Sequence, residues 1–559
     1  MRQQYEPSAD RIIALYQQLE DDILSAVIRR ILKMGYVSEA SKHQLEVLQA
    51  AGLLYDDIVQ LIADRTDACT AQVKALFEDA GVQTVAIDNS LHEAAGALPI
   101  DIRQDSSTRQ VLEAGYKKTL GTMRNLVSTT ATQTQTAFIQ TCDRIYMQVS
   151  SGAFSYQEAI MNALRALADT GAEVVYPTKH KDRMDVAVRR CVLTGVSQTA
   201  AAVSLRQAED AGCYLMEITA HSGARPDHAK WQGQLVTITG KDAGKIIDGL
   251  RVFTLSEIGY GSGEGFKGWN CRHNWHAYYP GFSTPNYTPE ELKKLDEPCI
   301  SYNGKLYTEY EVSQMQRAQE RRVRAWKRRC ITAQEGVNSA TDEATNAAAQ
   351  AEYSKSAVHL KANEEKLKDF CKQTGQNRDR FREQVYGFGR SEAQRAVQAN
   401  NSSFRNTMRQ KGIKNPPESI AEFKKMMYNK PDEYKLMQTY SKSVDSGMIS
   451  PLVGYEKYKE YHKRVEKELV GLTTSNGIEI KSQSNHFLER VFGTISDPTH
   501  EGAKRSGVEL EDIAEALKNG SVRQHKNGSY IYKSHNCEVS LNPNTGNLIQ
   551  VTPKKRNVP

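Results

Sequence analysis

The sequence lacks the features of an exported or membrane-spanning chain. Its first residues, MRQQYEPSADRIIALYQQLEDD, contain no cationic segment followed by an unbroken apolar one, so we expect no secretory signal. No stretch approaches the ~20 apolar residues that a membrane span needs, so we expect no membrane partner. The nine cysteines are scattered without CxxC spacing. This pattern argues against a disulfide framework and is typical of a reducing cytoplasm.

Length and charge limit the class of the protein. A chain of 559 residues exceeds the ~250–300 residues that one hydrophobic core usually serves, so we expect three or four domains. The formal net charge of +6 is small for this length and excludes a general nucleic-acid coat. Any basic surface that binds a partner must therefore be local.

Apolar periodicity predicts a multidomain, mainly α chain with two small α+β parts. Three of the four tryptophans and the short β-like runs LVTI and RVFTL mark the first of these parts, and GLTTSNG at 471–477 has a linker-like composition. In chain order we expect a helical arm, a small α+β module, long helices, a polar helical linker, and a small α+β domain of two helices and a β-meander. Their predicted bounds are 1–171, 172–285, 286–410, 411–477 and 478–559.

Two local signals support the helical arm. An apolar stripe recurs at three- and four-residue steps through Ile12, Tyr16, Leu19, Ile23, Val27 and Ile31, which predicts an amphipathic helix. Further along, Ser155 and Glu158 have capping-box spacing and predict the start of another helix. Such a region is more often a scaffold or a docking arm than a catalytic unit.

Two histidine-bearing blocks in the α+β module carry the strongest motif. They are ITAHSGARPDHAKWQGQ at 218–234 and GWNCRHNWHAYYPG at 268–281. Imidazole and thiol groups suit a structural zinc site with four ligands, for which the candidate ligands are His221, His228, Cys271, His273 and His276. One alternative is a metal-free polar core in which the imidazoles hydrogen-bond one another and the backbone. Another is a metal-dependent enzyme centred on residues 221–276.

The same blocks resemble those of the phage minor capsid protein 2 family, relatives of the Mu F-type head-morphogenesis proteins. That family carries an HxGARPxHxxWQG block followed by NCRH and YPG. The matching motif residues here are His221, Arg225, His228, Trp231, Asn270 and Arg272. The resemblance covers roughly residues 1–410. It implies a helical arm that docks on the portal ring and an α+β module without established chemistry, in which we expect Arg225 to fix a loop through backbone carbonyls.

A basic segment, RAQERRVRAWKRR at 317–329, has seven cations in thirteen positions. Arg321, Arg324 and Arg328 are its candidates for contacts with the phosphates of packaged DNA. The alternative that we favour is an ordinary solvated face or a dock for an acidic surface of the portal.

Residues 478–559 are not needed for a capsid role and carry a candidate catalytic pair. His486 and Arg490 are four residues apart and share one face of a helix. A histidine can act as base or acid near neutral pH, and a guanidinium stabilises the developing charge of a phosphate. The pair suits RNA cleavage without a metal or another cofactor. The alternative is a surface pair on a structural helix.

This unit resembles the toxin tips of polymorphic toxin systems, in the barnase–EndoU–colicin–RelE class of ribonuclease folds. The resemblance rests on His and Arg in the first helix, on SGVELEDIAEAL, and on NPNTGNLIQV. Thr545 could donate a hydrogen bond to the phosphate. Gln550 stands where relatives often have Thr, and its amide can bond a phosphate or a base edge but cannot act as an acid. Lys533, Ser534 and His535 are reserve candidates. A toxin of this class implies RNA as its substrate. The near-balanced charge of residues 478–559 favours a selective substrate such as tRNA. A toxin also implies a cognate immunity protein.

Together these features predict a portal-associated minor capsid protein that carries a ribonuclease toxin. We expect it in the virion near the portal, and in the bacterial cytoplasm during assembly or after delivery. Its expected partners are the portal protein and other capsid proteins. The main alternative is a purely structural head protein whose C-terminal domain binds DNA or a partner.

Overall fold

The computed structural model describes residues 2–102, 104–176, 178–493 and 506–554, with side chains from residue 9 onward. The chain forms two compact units, Met1–Val397 and Gln398–Pro559. Among the helices of the described ranges, none combines the length and the apolar character that a membrane crossing requires. The predicted multidomain, mainly α fold with small α+β parts is confirmed.

Long helices dominate the first unit. They are α1 (Arg2–Met34), α2 (Ala40–Ala94), α3 (Ser106–Ser150), α4 (Tyr156–Thr170), α5 (Met184–Asp210), α6 (Pro289–Leu295), α7 (Glu309–Ser339) and α8 (Glu343–Thr374), while α9 (Arg390–Gln410) spans the boundary between the units. The predicted α1 stripe, from Ile12 to Ile31, is fully buried in the core that α1 to α5 share. Ser155 and Glu158 form the predicted capping box at the start of α4.

Short strands of the first unit hold the loops of the candidate site. They are β1 (Glu173–Val175), β2 (Lys181–Arg183), β3 (Leu215–Ile218), β4 (Leu235–Thr237), β5 (Ile246–Ile247), β6 (Leu250–Thr254), β7 (Trp275–Ala277), β8 (Ile300–Tyr302) and β9 (Lys305–Tyr307). One sheet has the order β5-β6-β4-β3-β7, in which only β4 and β6 run parallel. Helix α5 connects the helical core to a core of the sheet, because Val188 packs among the helices and Ala201 packs against the sheet.

The second unit combines helices with a five-stranded sheet. Its elements are α10 (Ile420–Asn429), α11 (Pro431–Asp445), α12 (Tyr455–Glu468), β10 (Ser482–Gln483), α13 (Asn485–Val491), α14 (Leu510–Asn519), β11 (Ser521–Gln524), β12 (Tyr530–Lys533), β13 (Cys537–Asn542) and β14 (Asn547–Pro553). The strand order is β10-β14-β13-β12-β11, with β10 parallel to β14 and an antiparallel meander from β11 to β14.

The segment predicted as a polar linker is folded into this second unit. Tyr440 and Tyr458 of α11 and α12 are completely buried and share one hydrophobic core with Phe487 of α13 and the sheet. In GLTTSNG, the side chains of Thr474 and Asn476 both bond the hydroxyl of Tyr532, at 3.2 and 2.7 Å. Residues 411–477 therefore belong structurally with the C-terminal strands.

Candidate functional site

The sheet of the first unit brings the two histidine blocks together. Strand β3 lies between β4 and β7, so the loop that leaves β3 meets the loop that enters β7. The backbone N–H of Thr219 donates to the carbonyl of Asn274 across this junction, at 2.8 Å. Two blocks that are about forty residues apart in sequence thereby form one site.

Three candidate ligands converge in this site. His228, Cys271 and His273 are buried and offer ligand atoms that all lie within 4.8 Å of one another. The Cys271 Sγ to His273 Nδ1 distance is 3.6 Å. This separation fits a tetrahedral zinc site, in which two ligand atoms lie about 3.3–3.8 Å apart at metal–ligand distances near 2.0–2.3 Å.

Hydrogen bonds leave one unprotonated nitrogen on the imidazoles of His221 and His273. Nε2 of His273 faces Oε1 of Gln232 at 3.2 Å. Nε2 of His228 lies 2.8 Å from both the Arg225 guanidinium, which can only donate, and the carbonyl of Glu264. In His221, Nδ1 faces the Ser222 carbonyl, and the buried Nε2 has no hydrogen-bond partner. Since the nitrogens of His221 and His273 that face oxygen acceptors must donate, the other nitrogen of each of these two rings keeps its lone pair. Metal-binding histidines are commonly oriented in this way.

Burial keeps these imidazoles neutral. Burial, together with the neighbouring His221 and His228, lowers the pKa of His273 to about 2. Burial also lowers the pKa values of His221 and His228. Neutral imidazole is the form that binds a metal, so both a zinc site and a metal-free polar core are compatible with this electrostatic environment.

Close ring contacts hold Trp231 and the histidines of the cluster together. Trp231 lies 4.4 Å from the His228 ring and 4.7 Å from the His273 ring, centroid to centroid. The His221 and His273 rings are 4.4 Å apart. Gln232, a buried residue that the sequence reasoning missed, accepts from the His221 backbone N–H and contacts His273. The only signal for it was its place beside Trp231 in the motif.

His276 does not join the cluster. It lies on β7 between Trp275 and Ala277, which both face the core, so its side chain is directed to the opposite face. There Nε2 lies 3.3 Å from Glu217 and 2.9 Å from the amide of Asn286. The predicted ligand set is therefore corrected at this position, because strand alternation separates His276 from His273.

The remaining motif residues surround an adjacent cavity. The Arg225 guanidinium donates to the carbonyl of Glu264, in agreement with the loop-fixing role expected from the sequence. Asn270 has a left-handed backbone, with φ of 57°. Arg225, Asn270 and Arg272 all line this cavity.

The basic helix α7 distributes its arginines among different surroundings. Arg321 is exposed, whereas Arg324 is half-buried and donates to the carbonyl of Arg382 at 3.2 Å. Arg328 is buried and lies 3.4 Å from Asp185 and 3.9 Å from Glu20. Arg328 is therefore removed from the candidate DNA contacts, and it does not belong to a solvated face either, because its charge is enclosed and paired inside the first unit.

In the second unit, His486 and Arg490 lie together on α13 as predicted. Nε of Arg490 is 3.4 Å from Nε2 of His486, and Nδ1 of His486 is 3.5 Å from Oε2 of Glu489. Burial raises the pKa of the Glu489 carboxyl, but hydrogen bonds with His486 and Ser443 hold it below its ordinary value overall. Glu489 is a carboxylate partner that the sequence reasoning missed.

The other candidate catalytic residues lie elsewhere in this unit. Thr545 is exposed in the turn between β13 and β14. Gln550 pairs with Ser540 and precedes the core residue Val551, so it faces away from the core that α13 covers. The reserve candidates are at the β12–β13 turn: Lys533 is paired with Glu538, Ser534 contacts Cys537, and His535 is exposed.

This fold and its histidine-bearing module belong to a known class of phage head proteins. Residues 2–372 match the model of the phage minor capsid protein 2 family, so the chain belongs to that family. The protein is therefore a minor capsid protein, and its place is the phage particle.

The relatives are structural proteins of phages. One from Lactococcus phage LL-H is 23% identical over 333 residues, which span 57% of this chain and 86% of the relative. Another, from Lactococcus phage mv4, is 37% identical over 81 residues, which span 14% of this chain and 57% of the relative. No solved structure matches the chain.

Proposed function

We propose that this minor capsid protein is of the Mu F-like kind and docks on the portal through α2. The observation that carries the proposal is an exposed apolar stripe on α2, formed by Leu45, Leu48, Tyr55 and Val59. These side chains are 58%, 61%, 36% and 44% exposed. Their spacing places them on one side of the helix, and a contiguous exposed apolar surface commonly marks a protein interface.

The α2 stripe can be tested in assembling phage. Burying one leucine contributes about 1.5–3 kcal/mol, so a Leu45→Asp/Leu48→Asp double variant should weaken docking by about 100-fold or more. We expect purified particles to lose the protein, and the isolated portal to lose binding to it. Leu306→Asp is the matched control, because Leu306 is 63% exposed in the same unit. Normal incorporation of the double variant would contradict the proposal.

We also propose a second function, RNA cleavage by the C-terminal unit as a delivered toxin. The arrangement of Glu489, His486 and Arg490 supports it. A carboxylate at Nδ1 favours the tautomer whose Nε2 is unprotonated, which is the state needed to take the 2′-hydroxyl proton of RNA. Arg490 is adjacent and can stabilise the charge that develops on the phosphate. This chemistry needs no metal, and a cell that makes such a toxin needs an immunity protein.

The nuclease proposal is tested with the whole chain, since residues 411–477 share the core of the C-terminal strands. We expect its expression to arrest growth, and we expect the purified protein to cleave tRNA. His486→Ala should abolish both effects, and Glu489→Gln should slow cleavage by about 10–100-fold. His525→Ala is the control, because His525 is exposed in the β11–β12 turn. A folded chain that leaves RNA intact would instead favour a unit that binds DNA or a protein partner.

We further propose a structural zinc ion in the histidine module. His228, Cys271 and His273 supply three ligands, and the lone pair of His221 Nε2 makes it the candidate for the fourth. A closed site of this composition would stabilise the two loops without taking part in a reaction. Metal content, considered in the Discussion, tests this proposal.

A further inference from the structure

A cavity of about 400 Å³ lies beside the histidine cluster in the first unit. Helices α1, α5 and α7 form its walls together with the loops around His221, Arg272 and Phe381. Its size is within the range of about 300–1,000 Å³ that is usual for small-molecule sites.

The lining of the cavity has an excess of positive charge. Seven arginines line it, namely Arg189, Arg225, Arg272, Arg317, Arg321, Arg324 and Arg382, against two carboxylates, Asp185 and Glu320. With neutral histidines the lining has a formal charge of +5, although three of the arginines are paired with carboxylates outside the lining: Arg189 with Asp10, Arg225 with Asp227 and Arg382 with Asp379. Asp185 is moreover paired with Arg328, so it neutralises the arginines of the cavity only in part.

Two buried donors of this cavity lack a hydrogen-bond acceptor, although one of them, Arg225 Nε, lies 3.7 Å from Asp227. The buried Nε atoms of Arg225 and Arg324 have no hydrogen-bond partner. Burial lowers the pKa of Arg324, and the neighbouring Arg328 adds to the effect, so the charged form is held in an unfavourable environment. An anion between these guanidiniums would satisfy the donors and offset the repulsion between like charges.

Three arginines of helix α7 face this cavity at helical spacing. Arg317, Arg321 and Arg324 are spaced by four and three residues, which places them on one face of the helix, and all three line the cavity. Arg322 is also exposed but is not among the lining residues. Helix α7 thus presents three of the seven cations at 317–329 to a concave site.

We propose that this cavity binds a small phosphate-bearing anion, a di- or triphosphate group of the size found in nucleotides. Planar guanidiniums bind phosphate oxygens in a bidentate manner, and the seven arginines approach from several directions. A duplex does not fit, because a sphere of this volume is roughly 9 Å across, whereas the major groove alone is about 12 Å wide. The site is independent of the α2 stripe and of the His486 pair.

The test is isothermal titration of the full-length protein with sodium triphosphate, ATP and adenosine. We expect triphosphate and ATP to bind and adenosine not to bind. Arg321→Gln should weaken ATP binding at least about 10-fold, and Arg317→Gln/Arg321→Gln should weaken it further. Arg322→Gln should stay within about 2-fold of the wild type, since it removes the same charge from the same helix outside the cavity.

The outcomes separate the sources of the phosphate and can overturn the proposal. ATP binding more than 10-fold tighter than triphosphate identifies a nucleotide, whereas equal affinity identifies a polyphosphate. Absence of binding by both phosphate compounds refutes the site. So does an equal loss in the Arg321→Gln and Arg322→Gln proteins. Circular dichroism of each variant shows that the fold is retained.

Discussion

The ion cluster around Arg328 allows a sharp test of how the first unit is stabilised. Glu20 and Asp185 are only 2% and 3% exposed, and Arg328 lies within 3.9 Å of both. Arg328→Met keeps an unbranched side chain of similar length but removes the charge. It leaves Arg183, 3.2 Å from Glu20, as the remaining close partner.

The loss of stability that we expect for Arg328→Met follows from these distances. At an effective dielectric constant of about 20, each pair of unit charges at this separation contributes about 4–5 kcal/mol. Removing Arg328 also relieves the cost of burying its own charge, which is several kcal/mol. We therefore expect the free energy of unfolding to fall by about 3–5 kcal/mol, the range found when one partner of a buried pair is removed.

The loss of stability caused by Arg328→Met should depend on pH in a defined direction. Burial raises the pKa of Asp185, but Arg328, Arg324 and Arg183 outweigh this and hold it below its ordinary value. The ionised carboxylate therefore stabilises the fold above its unfolded pKa of about 3.9, and this stability is lost as the pH falls through the folded pKa. Without Arg328 the folded pKa rises. The difference between wild type and variant should be largest near pH 7 and should shrink towards pH 4.

Tryptophan fluorescence during urea unfolding measures this difference for the first unit alone, because all four tryptophans lie before residue 397. Arg322→Met is the control and should change stability by less than about 0.5 kcal/mol. Adding Asp185→Asn to Arg328→Met should recover part of the loss. A loss below about 1 kcal/mol at pH 7, or a difference that stays constant from pH 7 to pH 5, would refute the reasoning.

Three further predictions concern the metal site and local geometry. Elemental analysis should find about one zinc per chain, lost in Cys271→Ser but kept in Cys213→Ser, whose sulfur bonds backbone carbonyls instead; a metal-free wild type would remove the zinc proposal. Gly265→Ala should lower the free energy of unfolding by about 1–3 kcal/mol, since its Cβ would lie 2.1 Å from the Gly259 carbonyl oxygen. Gly52→Ala, in open space on α2, should raise it by about 0.5–1 kcal/mol. Urea unfolding measures both changes. Ser484→Ala removes the N-cap of α13 and should cost about 1 kcal/mol, detected by hydrogen exchange of α13.

The sequence correctly predicted those features that depend on the periodicity or capping of a single helix. The α1 stripe from Ile12 to Ile31 needs only helical periodicity and a core on one side, and the structure buries all of it. The capping box of Ser155 is equally local. His486 and Arg490 meet because four residues make about one helical turn.

The sequence could not predict features that depend on distant partners. Thr474 and Asn476 have the composition of a linker, yet they bond Tyr532, 58 and 56 residues further along. Arg328 belongs to a cationic run, but only the tertiary fold places it between Asp185 and Glu20. His276 is close to His273 in sequence and is separated from the cluster by strand alternation.

The zinc ion and the anion share loops but can be tested independently of each other. The metal requires neutral nitrogen and thiolate ligands, whereas the anion requires guanidiniums. Cys271 is a proposed metal ligand and is not among the residues that line the cavity, and Arg321 lines the cavity on a helix that supplies no metal ligand. Cys271→Ser should therefore act primarily by removing zinc. Arg321→Gln should weaken ATP binding while zinc is retained. If both variants lost both ligands, the loops would instead be a single cooperative element whose folding either ligand requires.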